Sequence, residues 1–238
     1  MKKRIIGGSL VLLLFSIMLN LRLVPQKVIA EVPNEPVKIV EQVQEEYVSK
    51  INDYRSEYNN NDIVAELVID DLEIDTLITK STNNEYYLKH NLAGEEDVLG
   101  NPYIDFRNDL PLGQERQINI YSHNSDYYSY QEQLPFYKLE SYLDEEKFNK
   151  SKNVYLYVEE EILKYEVYAL KIITTDNEHT VLDSKSEDRW NKHLEKLLTD
   201  TKYCKDDCKL NSTDKLLILQ TCNFQPKNSY ILIILKRV

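Results

Sequence analysis

Apolar side chains recur along this chain in two rhythms. From Val37, the positions Val40, Val43, Tyr47, Ile51, Tyr54 and Tyr58 step by three or four, which predicts an amphipathic helix ending near Tyr58, where Asn59, Asn60 and Asn61 stop it. The rhythm then shortens. Ile63 to Ile69, Leu72 to Ile78, Tyr103 to Phe106, Ile118 to His123, Val154 to Val158, Leu163 to Thr174, Lys215 to Cys222 and Tyr230 to Lys236 read as strands. Eight short β runs with turn-rich joints predict a mostly β domain, a barrel or sandwich. Two helical inserts interrupt them. Leu134 to Asn149 predicts one or two short helices, with Pro135 suited to a first turn. Ser184 and Glu187 have capping-box spacing, and Trp190, Leu194, Leu197 and Leu198 then mark one face of a second helix, with Trp190 read as core. The run Tyr230 to Leu235 is almost wholly apolar, which predicts a last strand buried on both faces.

The amino terminus differs from all of this. Lys2, Lys3 and Arg4 precede an apolar run from Ile5 to Leu19 that resumes weakly through Val24, with Asn20 and Arg22 as its strong interruptions. About twenty helical residues reach roughly 30 Å, one hydrocarbon core. Basic residues ahead of the run hold that end in the cytoplasm. Residues 1–30 are therefore expected to be a single-pass membrane anchor with the rest of the chain extracytoplasmic. The alternative is a cleaved signal peptide, with Val28, Ile29 and Ala30 before Glu31 as the cleavage site. Residues 31–36, with Pro33 and Pro36, read as a linker, and 37–238 as the folded domain. The 238-residue length suits one large β domain or two small ones. The formal charge is −11, and residues 1–30 hold five basic side chains and no acid, so the body is more acidic still. Such a body repels nucleic acid, and no nucleic-acid partner is expected.

Three cysteines in an exported chain cannot all pair within one molecule. Cys204 and Cys208 could form a local disulfide, whereas a metal site there would need two more ligands that no nearby histidine or cysteine supplies. That pair stays open. Glu159, Glu160 and Glu161 read as a solvated hairpin tip in preference to a calcium site. No cofactor and no essential metal are expected.

Cys222 is the odd cysteine, and its position is informative. It ends a hydrophobic strand, with Thr221 and Asn223 keeping the tip polar. In Ile118 to His123, alternation places Ile118 and Ile120 on one face and Asn119, Tyr121 and His123 on the other, so His123 can line a cleft. A cysteine and a histidine far apart in sequence, each at a strand end, are what thiol catalysis needs if the fold brings them together. His90, His179 and His193 lack such a context and read as surface or loop residues.

The residues around both positions carry a resemblance. Tyr121-Ser122-His123-Asn124 resembles the Y-G-H-N segment of sortases, and Leu219-Gln220-Thr221-Cys222 their L-S-T-C segment. Asn84 to Leu88, with Tyr87, resembles the family's N-x-x-Y-L stretch, and Gly100 to Asn108 its G-x-x-F-x-D-x-R-N stretch. The helix before the first strand and the one late in the chain are similar to class B sortases, and the likeness covers about Val37 to Val238. The resemblance implies an eight-stranded barrel with an N-terminal helix and helical inserts, on the outer face of a Gram-positive membrane. It implies a transpeptidase that cleaves the C-terminal sorting signal of a secreted protein, holds it as a Cys222 thioester and passes it to an amine of cell-wall peptide, with His123 as acid and base. One departure stands out. An arginine of the family is due eight to ten residues beyond the cysteine, and Tyr230 occupies that region here. Candidates for its oxyanion or substrate contacts are Tyr230, Arg107, Lys227 and Thr221, although Arg107 beside Asp105 and Asp109 also suits a structural charge. The departure motivates a second reading, a sortase-like module that binds sorting signals or wall proteins without turnover. A plain thiol hydrolase is a third.

Overall fold

The computed structural model describes residues 50–159, 161–174 and 186–238. Residues 50–57 are helical, and the chain leaves that helix through Asn59, whose backbone is left-handed at φ 49°. The expected start of this helix, the anchor over 1–30 and the linker over 31–36 lie outside the described residues. Among the described residues no helix is long and apolar enough to cross a membrane.

Among the described residues nine strands follow: β1 (Ile63–Ile69), β2 (Ile74–Thr79), β3 (Tyr103–Ile104), β4 (Gln117–Tyr121), β5 (Asn153–Val158), β6 (Ile162–Thr174), β7 (Tyr203–Cys204), β8 (Leu216–Asn223) and β9 (Ser229–Arg237). Eight of them close a barrel in the order β5-β1-β2-β3-β4-β8-β9-β6, with β6 returning to β5. Closure leaves these strands without an open edge. The two-residue β7, absent from the expectations above, extends the β6 edge beyond β5 by pairing Ala169 with Cys204 and Leu170 with Tyr203. At two residues it is too short to show a periodicity.

Alternation sorts the side chains into two cores. Ile118 and Ile120 of β4, Leu217 and Leu219 of β8, and Ile231, Ile233 and Leu235 of β9 fill the barrel, together with Phe136, Leu139 and Tyr142 of the 3-10 segment Pro135–Leu143. Their neighbours point outward. Leu216, Ile218, Leu232 and Ile234 are sealed beneath the helix Glu187–Leu198 through Trp190, Leu194 and Leu197. β9 is thus buried on both faces, and Ile231 to Leu235 have no exposed surface. Trp190 is fully buried, with Nε1 donating to the Ser212 carbonyl at 3.0 Å.

Three expectations need correction or completion. The late helix begins at Glu187, with Ser186 at its N-cap position, and Ser184 of the expected capping box lies outside the described residues. His193 is not a surface residue. It lies three positions after Trp190, on the same helix face, and is only 6% exposed. Cys204 and Cys208 are joined by a disulfide, which leaves Cys222 as the free cysteine.

Candidate active site

β4 and β8 are parallel neighbours, and this pairing positions the site. Tyr121 stands opposite Gln220, and the ladder continues one step through a bond from Ser122 N–H to the Gln220 carbonyl at 3.2 Å. Two residues beyond that pair are Cys222, on the outward face of β8 because Leu217 and Leu219 take inward positions, and His123, which lies past the end of β4 at Tyr121, so the expected strand to His123 stops two residues short of it. The hydroxyl of Thr221, fully buried, donates to the Ser122 carbonyl at 2.9 Å and locks the two strand ends together. Thr221 is thereby occupied in structure.

On the other side of Cys222, β9 runs antiparallel, and Tyr230 is the register partner of Cys222. Tyr103 of β3 lies close enough that the charge of Cys222 acts on it. Burial pushes the Cys222 thiol up, while the main-chain N–H of Asn124 beside it acts the other way. The resting thiol is therefore protonated at neutral pH. Burial and the neighbouring cysteine also push the Tyr230 phenol up, and burial, Asp105, Cys222 and Tyr230 do so for Tyr103. Both remain hydrogen-bond donors.

The His123 ring is held from the opposite side, by Nε2 at 2.8 Å from the Leu88 carbonyl. A carbonyl oxygen only accepts, so Nε2 carries the proton and Nδ1 is the nitrogen left to take one. Leu88 is fixed by the residues before it. Tyr87, 2% exposed, places its hydroxyl between Asn60 and Asp62, and the Tyr87 carbonyl accepts from Asn101 N–H at 2.9 Å. Gly100 packs so closely on this turn, at φ +61°, that a Cβ would lie 2.4 Å from the Tyr87 oxygen. Only glycine fits there. Asn84 then accepts from Phe106 N–H, and Asn108 bridges to β4 through Gln117 O and Asn119 N. The two stretches around Tyr87 and Gly100 are therefore the frame that aims His123.

Arg107 grips Asp105 in a fork, with Nε to Oδ1 at 2.9 Å and Nη2 to Oδ2 at 2.7 Å, and the Tyr121 hydroxyl adds a third bond at 2.8 Å. Burial alone would raise the Asp105 carboxyl, yet these donors hold it below the ordinary carboxylate range. Lys227 is exposed in the loop between β8 and β9. Of the other histidines, His90 stacks on Tyr86 in a loop at 4.0 Å, and His179 lies outside the described residues. His193, expected at the surface, shares the buried face of its helix with Trp190. Its Nε2 meets Gln117 Oε1 at 2.7 Å, and Gln117 Nε2 donates to Asn119. Among the described residues no group of three or more His, Cys, Asp or Glu side chains is gathered to hold a metal ion. Glu159 and Glu161 pair instead with Arg55 and Arg237.

The chain thus forms a closed eight-stranded barrel with a cysteine and a histidine beyond one parallel strand pair, and the comparisons show what this is similar to. No family model matches the chain. Sortase B of Listeria monocytogenes is 30% identical over 166 residues, covering 69% of this chain and 64% of that protein, so the match spans less than two thirds of the relative. A cysteine-to-serine mutant of Clostridium perfringens sortase B superposes with a TM-score of 0.74 at 20% identity, over 83% of this chain and 90% of that one, and shows the shared fold. A Bacillus anthracis protein similar to sortase B gives 0.69 at 25% identity over 84% and 94%. Sequence and fold together place this chain among the homologues of class B sortases.

Proposed function

We propose that the protein is a sortase-type cysteine transpeptidase of the cell surface. The observation that carries this reading is the parallel β4–β8 pairing, beyond whose last partners, Tyr121 and Gln220, His123 and Cys222 each lie two residues further on. In the reaction, the Cys222 thiol gives its proton to His123 and the sulfur attacks the scissile carbonyl of a sorting signal. The tetrahedral intermediate collapses to a thioester as the C-terminal fragment leaves, its amine taking the proton from His123. An incoming amine of cell-wall peptide then attacks the thioester, gives up a proton through His123, and releases the sulfur. The customers are secreted proteins that bear a C-terminal sorting signal. Residues 1–30 would hold the enzyme at the membrane and 37–238 would form its catalytic domain.

A second reading is favoured by a specific observation. Tyr230 faces Cys222 where the family resemblance calls for an arginine, and Arg107 is committed to Asp105. A module that binds sorting signals without turnover would tolerate both. Intact mass of the full-length chain, incubated with a library of sorting-signal-type peptides, separates the two. An acyl adduct on Cys222 supports the transpeptidase, and binding with no adduct supports the module. Product that forms only with an added amine distinguishes transfer from hydrolysis by water.

A further inference from the structure

Asn124 directly follows His123 and reaches across to the cysteine strand. Its side-chain Nδ2 donates to the Cys222 main-chain oxygen at 3.0 Å and to Glu140 Oε1 at 2.6 Å, while its Oδ1 accepts from Ser125 N–H at 2.7 Å. Turning the amide over would set its oxygen against two acceptors, so these bonds fix its orientation. The residue is 7% exposed, which makes a lost partner costly. Glu140 in turn has a firm support. It belongs to Pro135–Leu143, whose Phe136, Leu139 and Tyr142 are fully buried in the barrel core.

The β4–β8 ladder itself stops short of the reacting residues, at Ser122 and Gln220. Beyond it, Asn124 ties the strand end carrying the imidazole to the residue carrying the thiol. We propose that Asn124, oriented by the Glu140 carboxylate, is a positioning clamp for the Cys222–His123 pair, holding the nucleophile's residue through its backbone carbonyl. This rests on the reading of Cys222 and His123 as the reacting pair. Neither clamp residue exchanges a proton or touches the acyl group. Their work is to hold a sulfur and an imidazole in attack geometry, where small displacements cost large factors in rate.

The test uses the full-length chain in four forms: parent, Asn124→Ala, Glu140→Ala and Glu140→Gln. Glu140→Gln keeps an Oε1 acceptor for the Asn124 amide and removes only the charge, so it is the conservative rescue. Two readouts are taken, the acylation kinetics with sorting-signal-type peptide and the pH profile of Cys222 alkylation by iodoacetamide. Asn124→Ala and Glu140→Ala are expected to lower the maximal acylation rate by about tenfold or more with KM little changed. They are also expected to change the pH profile of alkylation, because the strand end that carries Cys222 is no longer tied to the residue beside the imidazole. Glu140→Gln should acylate close to the parent rate. Parent-like acylation and alkylation in both alanine variants would overturn the clamp, as would a glutamine variant as slow as Glu140→Ala. A parent that is never acylated refutes the reading of the site as catalytic, and the alkylation profiles then still decide whether the clamp sets the thiol.

Discussion

Cys222 and Tyr230 are register partners across the β8–β9 ladder, so the phenol stands beside the thiol on the outward face of the barrel. Directly opposed residues in an antiparallel pair have Cβ atoms about 5 Å apart, within reach of a tyrosine hydroxyl bonding to an oxyanion built on the neighbouring sulfur. Tyr230→Phe removes that donor and no ring packing, and is expected to lower acylation by roughly 10- to 100-fold. Tyr230→Arg should raise it where the pocket has room for a guanidinium, which offers charge and a fork of donors. Acylation kinetics of Tyr230→Phe, Tyr103→Phe and Arg107→Ala, measured side by side, assign the role. A large loss in Arg107→Ala alone would move it to the Asp105–Arg107 fork. Parent rates in all three would leave Lys227 and main-chain amides.

Cys222→Ala should abolish the acyl adduct while leaving the fold intact. The thiol is half-buried at a strand tip, and β8 is anchored by Leu216 to Leu219, all of them buried. The expected stability change is on the order of 1 kcal/mol or less. Thermal melting and intact mass check this together, and an adduct that persists in the variant rejects Cys222 as the nucleophile.

His123→Ala should stop peptide acylation while Cys222 still reacts with iodoacetamide, because the alkylating reagent needs no proton for its leaving group. The bond from Nε2 to Leu88 O adds a second expectation. Nitrogen NMR of the parent near neutral pH should show Nε2 protonated. If the proton is found on Nδ1 alone, the ring is not held by Leu88.

Much of this architecture is legible in the sequence, for a physical reason. Each barrel strand alternates or runs apolar, and β1 falls on the residues its pattern marks, Ile63–Ile69. The candidate pair Cys222 and His123 is visible because reactive side chains stand near strand ends, where packing would not choose them. What escapes is long-range. Asn124 and Glu140 are ordinary polar residues until the fold joins them, and nothing in the spacing of 16 residues announces the bond. His193 escapes differently. A polar side chain on an apolar helix face is legible as core only when its partner is known, and Gln117 is 76 residues away.

That buried imidazole makes the last prediction one about pH. Gln117 spends its amide nitrogen on Asn119, so its oxygen faces His193 and accepts from Nε2–H, an arrangement that needs no charge on the ring. Burial, with Lys196 adding repulsion, holds the His193 pKa down to about 4. In the unfolded chain the same ring takes up a proton near pH 6.5. Between those values the unfolded state binds more protons, so this residue's contribution to stability is complete above about pH 6.5 and falls as the pH drops toward 4. The gap of about 2.5 pH units corresponds to no more than about 3 to 4 kcal/mol. Replacing His193 by Gln keeps a donor for Gln117 and removes the titration, so the variant should lose less stability than the parent between pH 7 and 4.5. Chemical denaturation at both pH values checks it, and parallel losses in the two proteins would show that His193 does not carry the acid sensitivity.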